Sequence, residues 1–152
     1  MKLSENFDLE EMLESQAAIR FGFSEQFEPS DEVLLNLKKL CWNVLESVRE
    51  ITKSPITVSS GYRCPRVNKK IGGASKSQHI MGQAADIKAK GYNTEQLFRL
   101  IIDSNIQYDQ IIQEFADEKG NGGWVHISYS NKPRKERLIA KKVNGKTVYA
   151  KI

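Results

Sequence analysis

The sequence predicts one α+β domain with a central antiparallel sheet flanked by helices, and three observations carry that expectation. From Val33 to Ile51 apolar residues recur at spacings of three and four, the period of a helix with one buried face. Later segments, led by Pro55–Ser60, are short and β-branched, as strands are. The 152 residues, 39% hydrophobic and 28% charged, suit a single soluble domain with enough apolar side chains for a real core. No internal repeat or linker divides the chain, so residues 1–152 are read as one domain.

Asp8 and Glu11 form a capping pair that opens a short helix through Leu9, Met12, Leu13 and Ala17, ended by Gly22. A loop to Pro29 leads to Ser30, the expected N-cap of the long helix. Asp31 and Glu32 fill its first turn, where negative charge offsets the helix dipole. Cys41 falls inside the apolar stripe and is read as core rather than nucleophile. After the Pro55–Ser60 strand, Gly61 and Pro65 punctuate a loop and Gly72-Gly73 marks a turn. Ala84–Ala89 reads as a second strand. Asn93–Ser104 reads as an amphipathic helix with Leu97, Phe98, Ile101 and Ile102 inward. Gln110–Phe115 and Trp124–Tyr129 read as two strands joined by a loop holding Gly120, Gly122 and Gly123. Arg137–Val143 and Lys146–Ile152 flank Asn144-Gly145, a pair that tolerates the two positive φ angles of a type I′ turn. A basic hairpin over 137–152 is therefore expected.

Composition excludes several classes. Ten Gly and four Pro are too few for a fibrous or low-complexity chain. No apolar run approaches the roughly 18 residues of a membrane span, and residues 1–15 lack the apolar centre of a secretory signal, so no signal peptide is expected. Cys41 and Cys64 cannot make a disulfide framework and match no Cys-rich metal motif. Charge is uneven: residues 1–60 hold 6 Lys/Arg against 11 Asp/Glu, and residues 61–152 hold 17 against 8. A basic half favours an anionic partner, either nucleic acid or an anionic polymer such as a bacterial wall. The closing segment has Tyr149 as its only aromatic and so lacks the interleaved aromatics of a single-strand binder. Nucleic acid is not the expected partner.

With only two His in the chain, any His-ligated metal site must use His79, His126 or both. His79 lies in a segment, Ser77 to Asp86, where Gly82, Ala84 and Ala85 let backbone and ligand approach closely. Asp86 interrupts what otherwise reads as buried strand, and a buried carboxylate needs a cation, a metal or several hydrogen bonds. Alternation along Trp124–Tyr129 puts Trp124, His126 and Ser128 on one face. His79, Asp86 and His126 could be the three protein ligands of a catalytic zinc site, the fourth position left to water. Two satisfied core histidines and a strand-end aspartate fit the same residue types.

Ser59-Ser60-Gly61-Tyr62-Arg63, Val67-Asn68, Ile71-Gly72-Gly73-Ala74, Ser77-Gln78-His79 through Asp86-Ile87, and Trp124-Val125-His126-Ile127-Ser128-Tyr129 occur in that order. In this the chain resembles the zinc D-Ala-D-Ala carboxypeptidase family, in its short bacterial and phage endolysin-type branch. That family belongs to a wider group with hedgehog signalling domains and lysostaphin-type peptidases. The resemblance runs from roughly Phe7 to Ser130 and leaves the C-terminal hairpin unmatched. It implies a hedgehog/DD-peptidase-like fold and one Zn²⁺ on His79, Asp86 and His126. It further implies hydrolysis of peptidoglycan peptide stems by metal-activated water, as a carboxypeptidase or an endopeptidase acting on the wall; a monomer is expected.

By the same resemblance Arg63 binds the substrate carbonyl or carboxylate and stabilises developing negative charge, which suits its planar, permanently charged fork. Ser77 is implied to bind substrate or orient a ligand. Many relatives carry Glu or Asp three residues before the second His; here that residue is Gly123. Glu114, Asp117 and Glu118 remain as general-base candidates. Glu114 is preferred, because its strand could pair with that of His126 and because the short branch carries Glu in the equivalent Ile-x-x-Glu position. Gly123 favours the alternative of a zinc-containing module that binds without catalysis. A basic nucleic-acid-binding protein built on the hairpin is a third reading.

Overall fold

A computed structural model describes residues 1–152. The expected first helix is two: α1 (Leu9–Leu13) and α2 (Gln16–Phe21). Glu14 turns extended at ψ 131, and Ser15 restarts the helix by accepting from the Ala18 N–H. Gly22 ends α2 in the left-handed conformation at φ 69, as its lack of a Cβ permits.

The long apolar stripe folds as α3 (Asp31–Leu40) and α4 (Glu46–Thr52), joined through a π turn at Cys41–Leu45. The wider turn keeps Cys41, Val44, Leu45 and Val48 buried while Trp42 points outward, 69% exposed. Burial pushes the Cys41 thiol up to about 12, in keeping with a core role.

β1 (Ile56–Ser60) follows, then α5 (Pro65–Lys70) where a loop was expected. Pro65 occupies the first turn of α5, where its missing N–H costs nothing. β2 (Ala84–Ala89) and α6 (Thr94–Ile102) come next, the latter opened by a capping box between Asn93 and Gln96. β3 (Gln110–Glu114), β4 (Trp124–Ser128), β5 (Glu136–Val143) and β6 (Lys146–Lys151) complete the chain.

The strands form one sheet in the order β1-β2-β4-β3-β5-β6. The expected antiparallel arrangement holds for every pair but one, since β3 and β5 run parallel. β4 already occupies one edge of β3. After β4 the chain crosses over and adds to the other edge in the same direction as β3, so the hairpin extends the sheet instead of standing apart.

One sheet face carries Ile87, Val125, Ile127 and Ile111, which pack with Leu37, Leu40, Leu45, Phe98 and Ile101 in a single core. Each such side chain removed from water contributes on the order of 1.5–3 kcal/mol. That burial also sets the register, because a slip of one residue would turn the core face outward. The opposite face aligns Ser60, Asp86, His126, Ile112 and Leu138 in one row across five strands. No helix is long and apolar enough to cross a membrane.

Candidate active site

Asp86 and His126 are direct partners across β2 and β4, so their side chains leave the sheet side by side. His79 arrives from a 3₁₀ turn, Gln78–Met81, whose cap is Ser77: its Oγ accepts from the His79 N–H at 3.2 Å. Gly82 ends that turn at φ 73, and a Cβ there would meet the Val33 carbonyl at 2.9 Å. Glycine thus lets the His79 turn lie directly on α3. One ligand atom from each of His79, Asp86 and His126 falls within 4.8 Å of the others, and all three residues are buried.

The hydrogen bonding of this trio bears on the choice between a metal site and two satisfied histidines: His126 Nδ1 lies 3.2 Å from Asp86 Oδ1, whereas His79 differs. His79 Nδ1 donates to the Gly61 carbonyl at 2.7 Å. A carbonyl only accepts, so in the neutral ring the lone pair of Nε2 faces Asp86 Oδ1 at 3.3 Å. Burial lowers the His79 pKa and so favours that neutral ring. Burial raises that of Asp86, but the hydrogen bond with His126, Nδ1 to Oδ1 at 3.2 Å, holds it well below the usual carboxylate range. Nε2 therefore has a close neighbour and no hydrogen-bond partner. Two buried acceptors face to face are costly unless a cation lies between them, and an N, N, O donor set suits zinc.

Glu114 ends β3 beside this trio. Its Oε1 is 3.8 Å from His126 Nδ1, and burial raises its pKa above the ordinary value. Arg63 donates its backbone N–H to the His79 carbonyl at 3.0 Å and its Nη1 to Asn68 Oδ1 at 3.1 Å. Its Nη2 lies 3.9 Å from Asp86 Oδ2, and its buried Nε has no partner. A Cβ at Gly73 would meet Arg63 Nη1 at 2.8 Å, so glycine makes room for the guanidinium.

A cavity of about 730 Å³ unites Arg63, Ser77, His79, Asp86, Glu114 and His126 on its lining. Asp117 and Glu118 are exposed and lie outside it. Asp117 organises its own turn, its Oδ1 accepting from the Lys119 and Asn121 N–H groups at 2.9 Å each. Gly123, where many relatives carry the acid, sits at φ 62 with its Cα against the Glu114 carbonyl, and no Cβ fits there. Of the three base candidates, the fold brings Glu114 alone to the cavity.

Sequence reasoning missed several lining residues. Trp124 was placed on the His126 face by alternation, but its role as cavity wall beside Glu114 follows from the β3–β4 register. Leu138, Tyr149 and Arg134 line the cavity only because β5 joins β3, a pairing no local pattern announces. Asp109, 2% exposed, ties Gln78 of the His79 turn to Arg134 of the crossover.

Two imidazoles and a carboxylate that could hold a metal ion, a second carboxylate and a guanidinium thus line one cavity. The Peptidase M15 family model matches residues 5–128, and the chain belongs to that family. Over 48 residues it is 40% identical to the zinc D-Ala-D-Ala carboxypeptidase of Streptomyces albus G. That segment is 32% of this chain and only 19% of the relative's length.

Proposed function

We propose that the protein is a zinc-dependent peptidase that hydrolyses the peptide stems of peptidoglycan, with His79, Asp86 and His126 holding one zinc ion. The observation that carries this reading is the unpartnered His79 Nε2 facing the Asp86 carboxylate at 3.3 Å. Family membership and the named relative support zinc and the peptide substrate. Zinc bound there supplies Lewis acidity to a scissile carbonyl and lowers the pKa of a water to about 7.

Glu114 does the proton work. Burial raises its pKa towards the range where a carboxylate can both take and return a proton. It accepts the proton of the attacking water and delivers it to the leaving amine. Arg63 lines the cavity and holds a terminal carboxylate or the carbonyl oxygen on which charge develops. Ser77 braces the His79 turn and offers its hydroxyl proton to the substrate backbone. All these groups come from one chain, so a monomer suffices. The basic half draws the protein to an anionic wall.

Elemental analysis of the purified protein, combined with digestion of purified peptidoglycan and mass analysis of the new termini, tests the reading. One zinc per chain is expected. Release of free D-Ala marks a carboxypeptidase, and internal cuts mark an endolysin-type endopeptidase. His126→Ala is expected to lose both zinc and hydrolysis; that variant retaining both sinks the site assignment. A zinc-loaded wild type that cleaves no muropeptide would make this a binding module.

A further inference from the structure

The family match stops at residue 128, yet the cavity does not. Leu138 of β5 and Tyr149 of β6 line it together with the three proposed ligands. The register explains how. Leu138 pairs with Ile112, which pairs with His126, so an apolar strip continues the ligand row towards the sheet edge. One step along the strands, Glu114 pairs with Ala140 and Ala140 with Tyr149. Direct partners share a face, and the small Ala140 places no bulky side chain between the carboxylate and the phenol. Burial raises the Tyr149 pKa first, and the Glu114 charge raises it further. Even so, the residue is 55% exposed, which leaves ring surface for a ligand to cover.

We infer that the C-terminal hairpin is the floor of the substrate cleft, and that Leu138 and Tyr149 select peptides extending about four residues beyond the ligand row on the side away from Arg63. The inference rests on the peptidase reading for its polarity. Arg63 follows β1 at one end of the row and takes the anionic end of the substrate, so the rest of the peptide runs over Ile112 and Leu138 towards Tyr149. From β4 to β6 is three strand spacings, roughly 14 Å at about 4.8 Å each. An extended chain covers that span with about four residues at 3.3–3.6 Å apiece. A bare dipeptide cannot reach the hairpin, whereas a full stem can. Tyr149 thus sets specificity and takes no part in the bond-breaking chemistry.

Calorimetric binding of a stem pentapeptide ending in D-Ala-D-Ala and of acetyl-D-Ala-D-Ala, to metal-free and zinc-loaded protein, tests this. Wild type is expected to prefer the pentapeptide, and Tyr149→Ala to cut that preference about tenfold, the loss of one covered aromatic contact. With zinc, the change should appear in KM more than in kcat. Val148→Ala, on the opposite face of β6 and 49% exposed, is the folding control and should keep the preference. Equal weakening of both peptides by Tyr149→Ala, or an unchanged preference, overturns the inference, as does a wild type that binds neither peptide. A wild type that discriminates by length yet hydrolyses nothing sinks the peptidase reading alone.

Discussion

The two halves of the cavity face are built differently. The ligand half uses strands inside the sheet: Asp86 and His126 sit on β2 and β4, each with neighbours on both sides, beside the fully buried Ala84 and Ala85. The hairpin half lies at the sheet edge, held by one parallel pairing, and Lys141, Lys142, Lys146 and Lys151 form no ion pair. Cations along an edge strand discourage pairing with another chain, so this basicity protects the fold as well as attracting anions. The contrast teaches where each task can be put. Ligand atoms must be held to within fractions of an ångström, which demands strands whose register the core over-determines. A surface that only extends the reach of a cleft can stand on an edge, where changes cost the core little.

The sharpest way to break this division is Glu114→Gln, because Glu114 ends β3, the strand shared by both halves. If it is the base, hydrolysis falls by about 10²–10⁴-fold, while zinc content and pentapeptide binding stay near wild type. Stopped assays with elemental analysis read both at once. A loss below about threefold with zinc retained would move the base elsewhere and detach Glu114 from the chemistry.

The same division marks what could be read from the chain. The local patterns around His79, Asp86 and His126 left a metal site and two satisfied core histidines open, and only the resemblance carried by the ordered motifs around them favoured the metal. The core role of Cys41 was legible from its helical spacing, although the π turn that shifts the stripe was not. α5 escaped because six residues without a side-chain cap carry no detectable period. The β3–β5 pairing escaped because an edge strand's partner depends on which sheet edge remains open, a property of the whole topology. Gly123 was visible as a departure from the usual acid, but its reason, the approach of the Glu114 carbonyl, is a cross-strand contact. Asp109 had no local signal at all, since its partners Gln78 and Arg134 lie 31 and 25 residues away.

Asp109 gives a smaller effect, because it joins the halves without belonging to the chemistry. Burial pushes its carboxyl up, but hydrogen bonds from the Arg134 side chain and backbone and from Gln78 bring it below the usual range. A depressed folded pKa adds stability that is present above the unfolded value of about 3.9 and is lost as pH falls through the folded value. Asp109→Asn is therefore expected to cost about 1–2 kcal/mol at pH 7, around the lower end of the range for charged hydrogen bonds because solvent screens Arg134, which is 55% exposed. The gap from wild type should narrow steadily below about pH 4. Urea unfolding at pH 7 and pH 3 checks this, and an equal gap at both would show that the ionised form of Asp109 contributes nothing.

The weakest expected effect separates the halves most cleanly. Asn144 and Gly145 turn the hairpin at φ 53 and φ 78. Nothing lies within 4 Å of a Cβ built on Gly145, so Gly145→Ala meets only the backbone penalty, about 1 kcal/mol. For a domain of this length that lowers Tm by about 2–4 °C. The strain is confined to the tip of an edge hairpin, three strands from β4. Zinc affinity should then be unchanged, while the pentapeptide preference weakens to the extent that the turn holds Tyr149 in place. Loss of zinc affinity in Gly145→Ala would show that strain at the edge reaches the ligand row, and that the two halves move as one body.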